Sequence, residues 1–369
     1  MMPLSLKEID QEIINLLSKR IAILNDSLPI QAESGDITQL LNQAGVPEFV
    51  WKSITISCAA AIASSTSFTA AKPRKVTIIG GNGKLGSFFS QQLSHAGHDV
   101  SILEHNNWDE APQLLGKAEL VLVCVPIEYT ISVIQQAAPY LKADTALADI
   151  TSVKTPIVQE LLKQHKGPVL SLHPMFGPGV QSFLSQNVIV CPGRQEQVFK
   201  WLLDLIESSG GKLIACTPEE HDRMMIAIQA IRHFTTFSLG VFLAEEGIDI
   251  SRSLEFSSPL YRLEIDIVSR LFAQDPALSV DIMSAATERR QAITRLVETY
   301  SRLAQLVENQ DEAALKREFA ATSSTFAQGA NQAVAESNHI IDSLSLLLAA
   351  KVTQTQRTAP SLAKTTNPV

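Results

Sequence analysis

The chain has 369 residues, of which 45% are hydrophobic and 18% charged, and its formal net charge is −8. This length suits about two to three domains with sizeable apolar cores. The acidic balance argues against nucleic acid or an anionic membrane surface as the main partner, because both require clustered Lys and Arg. An anionic small molecule would have to be bound by a local group of cations.

The cysteines are dispersed along the chain, at Cys58, Cys124, Cys191 and Cys216. None forms a C-x-x-C pair or stands beside a histidine at ligand spacing, so we expect reduced, packed thiols and no metal site. The first residues are charged and amphipathic and do not resemble a secretion signal. We therefore expect a cytoplasmic protein.

Three helices are predicted in the first 72 residues. Apolar residues recur at helical spacing over residues 4–25, and shorter helical patterns cover residues 37–44 and 47–64. A Ser- and Thr-rich linker follows, up to Pro73. Residues 1–72 are thus predicted to form a small helical segment.

A dinucleotide-binding motif follows the linker. The β-branched run Val76–Ile79 precedes Gly-Gly-Asn-Gly-Lys-Leu-Gly, which opens an apolar-periodic helix. Gly81 and Gly83 would permit a tight turn and close approach to a pyrophosphate, and Gly86 would let the helix pack on the strand. The helix N-terminus, with Lys84 and Leu85, would supply N–H groups to the phosphates.

An acidic residue ends the next predicted strand. The Glu104 carboxylate can accept hydrogen bonds from the ribose hydroxyls and would repel a 2′-phosphate, so the sequence favours NAD over NADP. The alternative, a glycine-rich turn that binds no nucleotide, is weakened by the strand before the motif and the helix after it.

Short β-branched strands alternate with helices from residue 75 to about residue 172, which predicts a parallel, doubly wound sheet. Ligands bind beyond the carboxyl ends of such strands, so Pro126, residues 150–154 and His173 should face the cofactor cleft. Further strands are predicted at residues 188–191 and 212–215. Residues 73–217 would form this domain.

The pattern changes to long helices after Pro218. Residues 218–351 are predicted to form a helical domain whose apolar stripes bury a face against a partner chain as well as within the monomer. Residues 352–369, rich in Thr, Gln, Pro and Lys, are expected to be disordered. The predicted fold class is α/β plus all-α: a small helical segment, a Rossmann-type doubly wound parallel sheet, and a helical substrate and dimerisation domain.

Several ordered strings resemble the prephenate dehydrogenase family, most closely the dehydrogenase part of the fused chorismate mutase/prephenate dehydrogenases. The resemblance covers residues 75 to about 320. It is carried by G-G-N-G-K-L-G, L-H-P-M-F-G-P, E-H-D, Q-A-I-R-H-F, S-S-P-L-Y-R-L-E and R-L-F-A-Q-D-P.

This resemblance implies oxidative decarboxylation of prephenate to 4-hydroxyphenylpyruvate in tyrosine biosynthesis, with NAD accepting the hydride, and a homodimer. His173 matches the catalytic histidine, which accepts the proton of the substrate hydroxyl, and Arg270 matches the arginine that binds a substrate carboxylate. His233 matches a substrate-contacting histidine. Ser152 and Lys154 match positions near the hydroxyl and the nicotinamide.

Other basic residues have simpler interpretations. Arg262 precedes Arg270 by about two helical turns and could share its face, in a supporting or structural role. His221 either takes part in function or only anchors a helix start. Four other arginines are predicted to be solvated or salt-bridged surface charges, namely Arg223, Arg252, Arg289 and Arg290.

The first helices resemble a degenerate chorismate mutase domain. Arg20 matches one of that family's substrate-binding cations, but Pro3 falls where an earlier arginine is expected, and the charged residues of the middle helix are absent or shortened. Two substrate carboxylates would lose their hydration without compensation, so we expect mutase activity to be lost.

Two alternative functions stay open at this point. Arogenate dehydrogenase performs the same chemistry on the aminated substrate, although Gln229–Arg232 favours prephenate by resemblance. A cofactor-binding regulatory subunit without catalysis is the other, and the retained His173 and Arg270 argue against it.

Overall fold

A computed structural model describes residues 5–26, 37–63, 72–177 and 179–358. The chain divides into two compact units, residues 1–224 and residues 225–369. Among the described residues, the first unit contains a helical segment and a seven-stranded sheet, and the second is wholly helical.

All three predicted N-terminal helices are present, within two residues of their predicted ends. The first and third pack against each other. Residues 64–71, most of the predicted linker, lie outside the described residues. The bounds are α1 Leu6–Asp26, α2 Ile37–Ala44 and α3 Glu48–Ala63.

The sheet has the strand order β2-β1-β3-β4-β5-β6-β7. The chain turns from β1 to β2 on one side and crosses to β3 on the other, so the switch point lies between β1 and β3, where such sheets bind ligands. The strands are β1 Lys75–Ile79, β2 Asp99–Leu103, β3 Leu120–Val123, β4 Ala146–Asp149, β5 Val169–Pro174, β6 Asn187–Arg194 and β7 Lys212–Ala215.

Helices cover both faces of this sheet because the apolar side chains of its strands alternate. Leu120 and Leu122 of β3 join one core, beneath α4 and α8, whereas Val121 and Val123 join the other, beneath α5, α6 and α7. Buried on both faces, the central strands are continuously apolar. The helices are α4 Lys84–His95, α5 Ala111–Leu115, α6 Ile127–Ala137, α7 Thr155–Gln164 and α8 Lys200–Ser208.

The predicted fold class is confirmed, with one difference in strand direction. Strands β1 to β5 are parallel, but β6 runs antiparallel to β5. The described residues between β5 and β6 contain no helix, and a parallel pair requires a crossover connection. His173 pairs with Ile189 in this ladder, so it lies inside β5 and not after it.

The compact units meet at residues 224 and 225, whereas the domain boundary predicted from the sequence lies at residues 217 and 218. The helix α9, Pro218–Met225, lies almost entirely in the first unit. Its Asp222 accepts hydrogen bonds from the backbone N–H groups of Lys154 and Thr155. These contacts attach α9 to the first unit.

The second unit begins with a π-helical segment, Ile226–Ile231, and then contains only helices among its described residues. Helix α16 runs through Thr358, so the chain is helical beyond residue 352, where disorder was predicted. Residues 359–369 lie outside the described residues. The bounds are α10 Arg232–Glu245, α11 Ile250–Glu255, α12 Pro259–Phe272, α13 Pro276–Ser284, α14 Thr287–Glu308, α15 Glu312–Phe326 and α16 Ala330–Thr358.

One helical run in the described part of the chain, Pro218–Glu245, is long and apolar enough to cross a membrane by length and composition alone. A single run of this kind is weak evidence for a membrane span, since core helices of soluble proteins also meet the criterion.

Candidate active site

The glycine loop after β1 has the geometry expected for a phosphate-binding turn. Gly80, which the sequence analysis did not single out, makes the tight turn with a φ of 80°. A Cβ on Gly86 would lie 2.1 Å from the Gly80 carbonyl oxygen, and one on Gly83 would lie 3.2 Å from the same atom. A Cβ on Gly81 would lie 2.8 Å from the Ile102 side chain. A side chain at Gly81 or Gly86 would displace neighbouring atoms, and one at Gly83 would crowd the loop, so these residues fit the close approach of a pyrophosphate.

The Glu104 carboxylate lies at the glycine loop. Its Oε1 accepts a hydrogen bond of 2.7 Å from the backbone N–H of Asn82, and the Glu104 N–H donates to Asn107 Oδ1 at 2.7 Å. The carboxylate is therefore held at the edge of the turn, where an adenosine ribose would lie. Lys84 and Leu85 begin α4 after Gly83, and Pro126 is the N-cap residue of α6 after β3.

A fully buried polar network lies at the carboxyl ends of β4 and β5. The Lys154 ammonium lies 2.8 Å from Asp149 Oδ2 and 2.8 Å from Ser171 Oγ. Ser171 and Thr151 both donate their hydroxyl protons to the same carboxylate. A buried carboxylate is costly unless it is paired and hydrogen-bonded, and this network supplies both kinds of partner to Asp149.

The burial of Lys154 corrects one expectation. With Ser152, it was matched to positions near the substrate hydroxyl and the nicotinamide, but its side chain is 0% exposed and its ammonium is enclosed by Asp149 and Ser171. The amine cannot contact a ligand from there, so Lys154 shapes the loop that carries Ser152. Ser152 itself is half-buried in the loop between β4 and α7.

His173 belongs to a chain of three titratable side chains. Its Nδ1 lies 2.8 Å from Nε2 of His221, and His221 Nδ1 lies 2.8 Å from Asp222 Oδ1. His173 is 4% exposed and His221 is 1% exposed. His221, whose role the sequence left open, is thus in direct contact with the predicted catalytic histidine.

Asp222 is held as a carboxylate. Burial alone would raise the pKa of Asp222, but hydrogen bonds from His221 and from the N–H groups of Thr155 and Lys154 lower it to about 2. Both backbone bonds are 2.8 Å long and lie at the start of α7, where the helix dipole also favours negative charge. Asp222 is therefore ionised at neutral pH.

In the second unit, α12 carries both predicted substrate-binding arginines. Arg270 is exposed in the last turn of this helix. Arg262 is half-buried and donates from Nη2 to the Leu254 carbonyl oxygen at 3.2 Å. This bond ties α12 to the end of α11, which gives Arg262 a structural contact.

His233 follows the π-helical segment, a feature often found at functional sites. Its Nδ1 is buried and has no hydrogen-bond partner among the described residues. Burial, followed by the positive charges of Arg232 and Arg289, lowers the pKa of His233. The imidazole is therefore neutral at pH 7 and able to donate or accept one hydrogen bond.

Arg289 was predicted to be a surface charge, and that prediction is wrong. It is 2% exposed, and Nη1 donates to the Ile282 carbonyl oxygen at 2.8 Å. Helical spacing could have indicated this burial, since Arg289 shares a face of α14 with the buried Ala292. Arg252 is exposed and paired with Glu255, as expected for a surface charge.

The described residues contain no group of three or more His, Cys, Asp or Glu that could hold a metal ion. Cys191 Sγ and Cys216 Sγ lie 4.0 Å apart. Burial raises the pKa of Cys191 to about 12 and also raises that of Cys216, so both thiols stay protonated.

Two consecutive family descriptions match the chain. Residues 90–215 match the nucleotide-binding domain of prephenate dehydrogenase, and residues 217–321 match its dimerization domain. The first matched segment contains strands β2 to β7, and the second contains the helical region that follows.

Similar proteins agree with this assignment. A T-protein of Haemophilus influenzae is 34% identical over 352 residues, which cover 90% of this chain and 93% of the relative. A T-protein of Enterobacter agglomerans is 40% identical over 270 residues, which cover 73% of this chain and 72% of the relative. T-proteins are fused chorismate mutase/prephenate dehydrogenases.

A solved structure shares the fold. Prephenate dehydrogenase from A. aeolicus, in complex with hydroxyphenyl propionate and NAD+, covers 66% of this chain and 94% of its own, with a TM-score of 0.54 and 18% identity. The two matched domains and the T-protein relatives together show that the chain belongs to the prephenate dehydrogenase family.

Proposed function

We propose that the protein catalyses the NAD-dependent oxidative decarboxylation of prephenate to 4-hydroxyphenylpyruvate in tyrosine biosynthesis. One observation carries the proposal: a buried histidine, His173, lies at the carboxyl end of β5, the same sheet edge that carries the glycine loop after β1. Family membership supplies the substrate class.

Residues of the first unit would hold the cofactor. The loop at Gly81 and Gly83 and the first turn of α4, with Lys84 and Leu85, would bind the pyrophosphate. Glu104 would accept hydrogen bonds from the ribose hydroxyls, as its fixed position at the loop favours. Pro126, at the switch point after β3, would line the cleft. Bound NAD supplies the hydride acceptor.

His173 would act as a general base on the substrate hydroxyl. As the C4 hydride departs, the O–H bond breaks, its proton bonds to the imidazole, and the ring carbon gains a carbonyl. Loss of CO₂ then aromatises the ring and leaves a phenolate oxygen, which takes the proton back. The histidine therefore accepts one proton and returns it within each turnover, and this role requires a neutral imidazole at the start.

Side chains of the second unit would bind the substrate. A guanidinium can donate two parallel hydrogen bonds to one carboxylate, and Arg270 presents that group at an exposed helix position. His233 is neutral and has a buried Nδ1, so it suits a hydrogen bond to an uncharged or anionic substrate group. Arg262 would support α12 through its bond to Leu254.

The test is a comparison of initial rates with prephenate and arogenate, each with NAD and with NADP, followed by the absorbance of the reduced cofactor. We expect the highest kcat/KM with prephenate and NAD. A preference for arogenate would reassign the substrate, and a preference for NADP would remove the role of Glu104. No turnover with either substrate would support a regulatory subunit without catalysis.

We also propose that the protein is a cytoplasmic homodimer. The second unit exposes several large apolar side chains, which a second copy could cover: Phe237, Phe242, Phe256, Leu260 and Phe272. Its match to a dimerization domain supports this assembly. Sedimentation analysis should give twice the chain mass, and a monomer at micromolar concentration would contradict it.

We infer that the N-terminal region has lost chorismate mutase activity. Residues 5–63 contain only four cations, Lys7, Lys19, Arg20 and Lys52. The Arg20 guanidinium lies over the Trp51 ring at 5.3 Å. Robust conversion of chorismate by the purified protein would overturn this inference.

A further inference from the structure

We propose that His221 and Asp222 are positioning residues. They set the tautomer of His173 and stabilise the positive charge that forms when His173 accepts the proton of the substrate hydroxyl. This inference rests on the proposed function of His173. It is carried by the two successive contacts of 2.8 Å that join His173 to His221 and His221 to Asp222.

The tautomers follow from the donor and acceptor capacity of each group. An ionised carboxylate can only accept hydrogen bonds, so His221 Nδ1 carries a proton and donates it to Asp222. In a neutral His221, Nε2 is then an acceptor, and His173 Nδ1 must be the donor. His173 Nε2 is left unprotonated, which is the state that a base requires.

The same contacts stabilise the positive charge that forms when His173 accepts the substrate proton. When the substrate O–H bond breaks, the proton bonds to His173 Nε2 and the imidazole becomes positive. The Nδ1 proton can pass to His221 Nε2, which places the positive charge beside the Asp222 carboxylate. The reverse transfers return the proton to the phenolate oxygen, so no proton is gained or lost over the cycle.

Asp222 also links this chain to the loop that carries Ser152. Both of its oxygens accept N–H groups at the start of α7, from Lys154 and Thr155. The carboxylate is therefore fixed by three donors from two helices. A group held this way can orient His221 without reorganising during the reaction.

The other titratable groups of the surrounding elements do not supply this charge. Asp149 and Lys154 are paired with each other in the buried network. Cys191 on β6 and Cys216 after β7 are neutral because their pKa values are raised. Glu220 on α9 is exposed. Asp222 is the carboxylate in hydrogen-bond contact with His221.

The test compares three variants in the full-length protein: H221L, H221Q and D222N. Glutamine can accept from His173 and donate to Asp222, so it preserves the tautomer but cannot take the proton; leucine does neither. We expect kcat to fall about 100-fold in H221L but only about tenfold in H221Q, relative to the wild type. KM for prephenate and the affinity for NAD should stay within about twofold, because residues that act only on His173 do not change the binding of either ligand.

The pH dependence of kcat distinguishes a positioning role of Asp222 from a role in packing alone. The Asp222 charge favours the protonated histidine pair, so its removal in D222N should move the acidic limb of kcat to lower pH. The control is H165L, which removes another buried histidine of the same unit, bonded to Thr145. Its pH profile should match that of the wild type.

Tautomer assignment of His173 by ¹⁵N NMR, without substrate, tests the proposal apart from turnover. We expect an unprotonated Nε2 in the wild type and H221Q and mixed tautomers in H221L and D222N. A wild-type kcat in H221L, or an unchanged acidic limb in D222N that still binds NAD, would overturn the proposal. A wild type with the expected tautomer but no turnover would instead refute the proposed function.

Discussion

The sheet edge of the first unit and the helix surface of the second hold their polar side chains in opposite ways. At the carboxyl ends of β4 and β5, Lys154 and His173 are buried and bonded to other side chains of the same unit. On α12, Arg270 is exposed, and large apolar side chains such as Phe272 are exposed near it in sequence.

This difference indicates how each region contributes to function. The buried groups of the first unit already have partners, so their geometry is set before a ligand arrives, as catalysis requires. We propose that the exposed groups of the second unit contribute by binding substrate or a second copy of the chain. Changes in the first unit should alter kcat and stability, and changes in the second should alter KM and assembly.

The largest effect is expected from H173N. Loss of the proposed base should lower kcat about 1,000-fold, or about 4 kcal/mol of transition-state stabilisation, while NAD affinity stays unchanged. Steady-state kinetics and NAD titration would measure both. The matched control is H165N, and turnover of H173N equal to that of this control would exclude His173 as the base.

Breaking the buried ion pair with K154M should cost about 3 kcal/mol or more of unfolding free energy, because the Asp149 carboxylate would be left without its counter-ion. Urea denaturation followed by circular dichroism would measure the loss. K163M removes an exposed lysine that pairs with Glu160 and should change stability by less than about 1 kcal/mol. Equal losses in both variants would contradict the assigned role.

Removing the exposed guanidinium with R270L should raise KM for prephenate about 30- to 100-fold, since charged hydrogen bonds contribute about 2–3 kcal/mol. The value of kcat should change less, and the folded state should be unaffected. R252L removes a surface arginine paired with Glu255 and should leave KM unchanged. An unaltered KM in R270L would remove Arg270 from substrate binding.

The smallest effect concerns the pH dependence of stability in D222N. The pKa of Asp222 is about 2 in the folded protein, below its ordinary value of 3.8. Its ionisation therefore stabilises the fold by about 2 kcal/mol above pH 4, and this contribution is lost as the pH falls through 2. Thermal denaturation at pH 7 should show that D222N is less stable than the wild type, and at pH 3 this difference in stability should be smaller. A gap independent of pH would assign the loss to packing.

Local patterns were sufficient for much of the fold. Periodicity located the strands and the three N-terminal helices, and the glycine spacing with Glu104 located the loop now seen beside β1 and β2. The direction of β6 was not predicted, because strand direction depends on the connection and on pairing partners distant in sequence. The helix beyond residue 352 was also missed, since its composition resembles that of a disordered tail.

The sequence by itself determined the family, the order of the domains and the identity of the histidine and arginine proposed for the chemistry, because these are written in contiguous residues. The tertiary structure alone decided that Lys154 is buried against Asp149 and that His173, His221 and Asp222 form a hydrogen-bonded chain. Burial and hydrogen bonding between residues 48 positions apart arise only when the sheet and α9 pack together, and no local pattern encodes them.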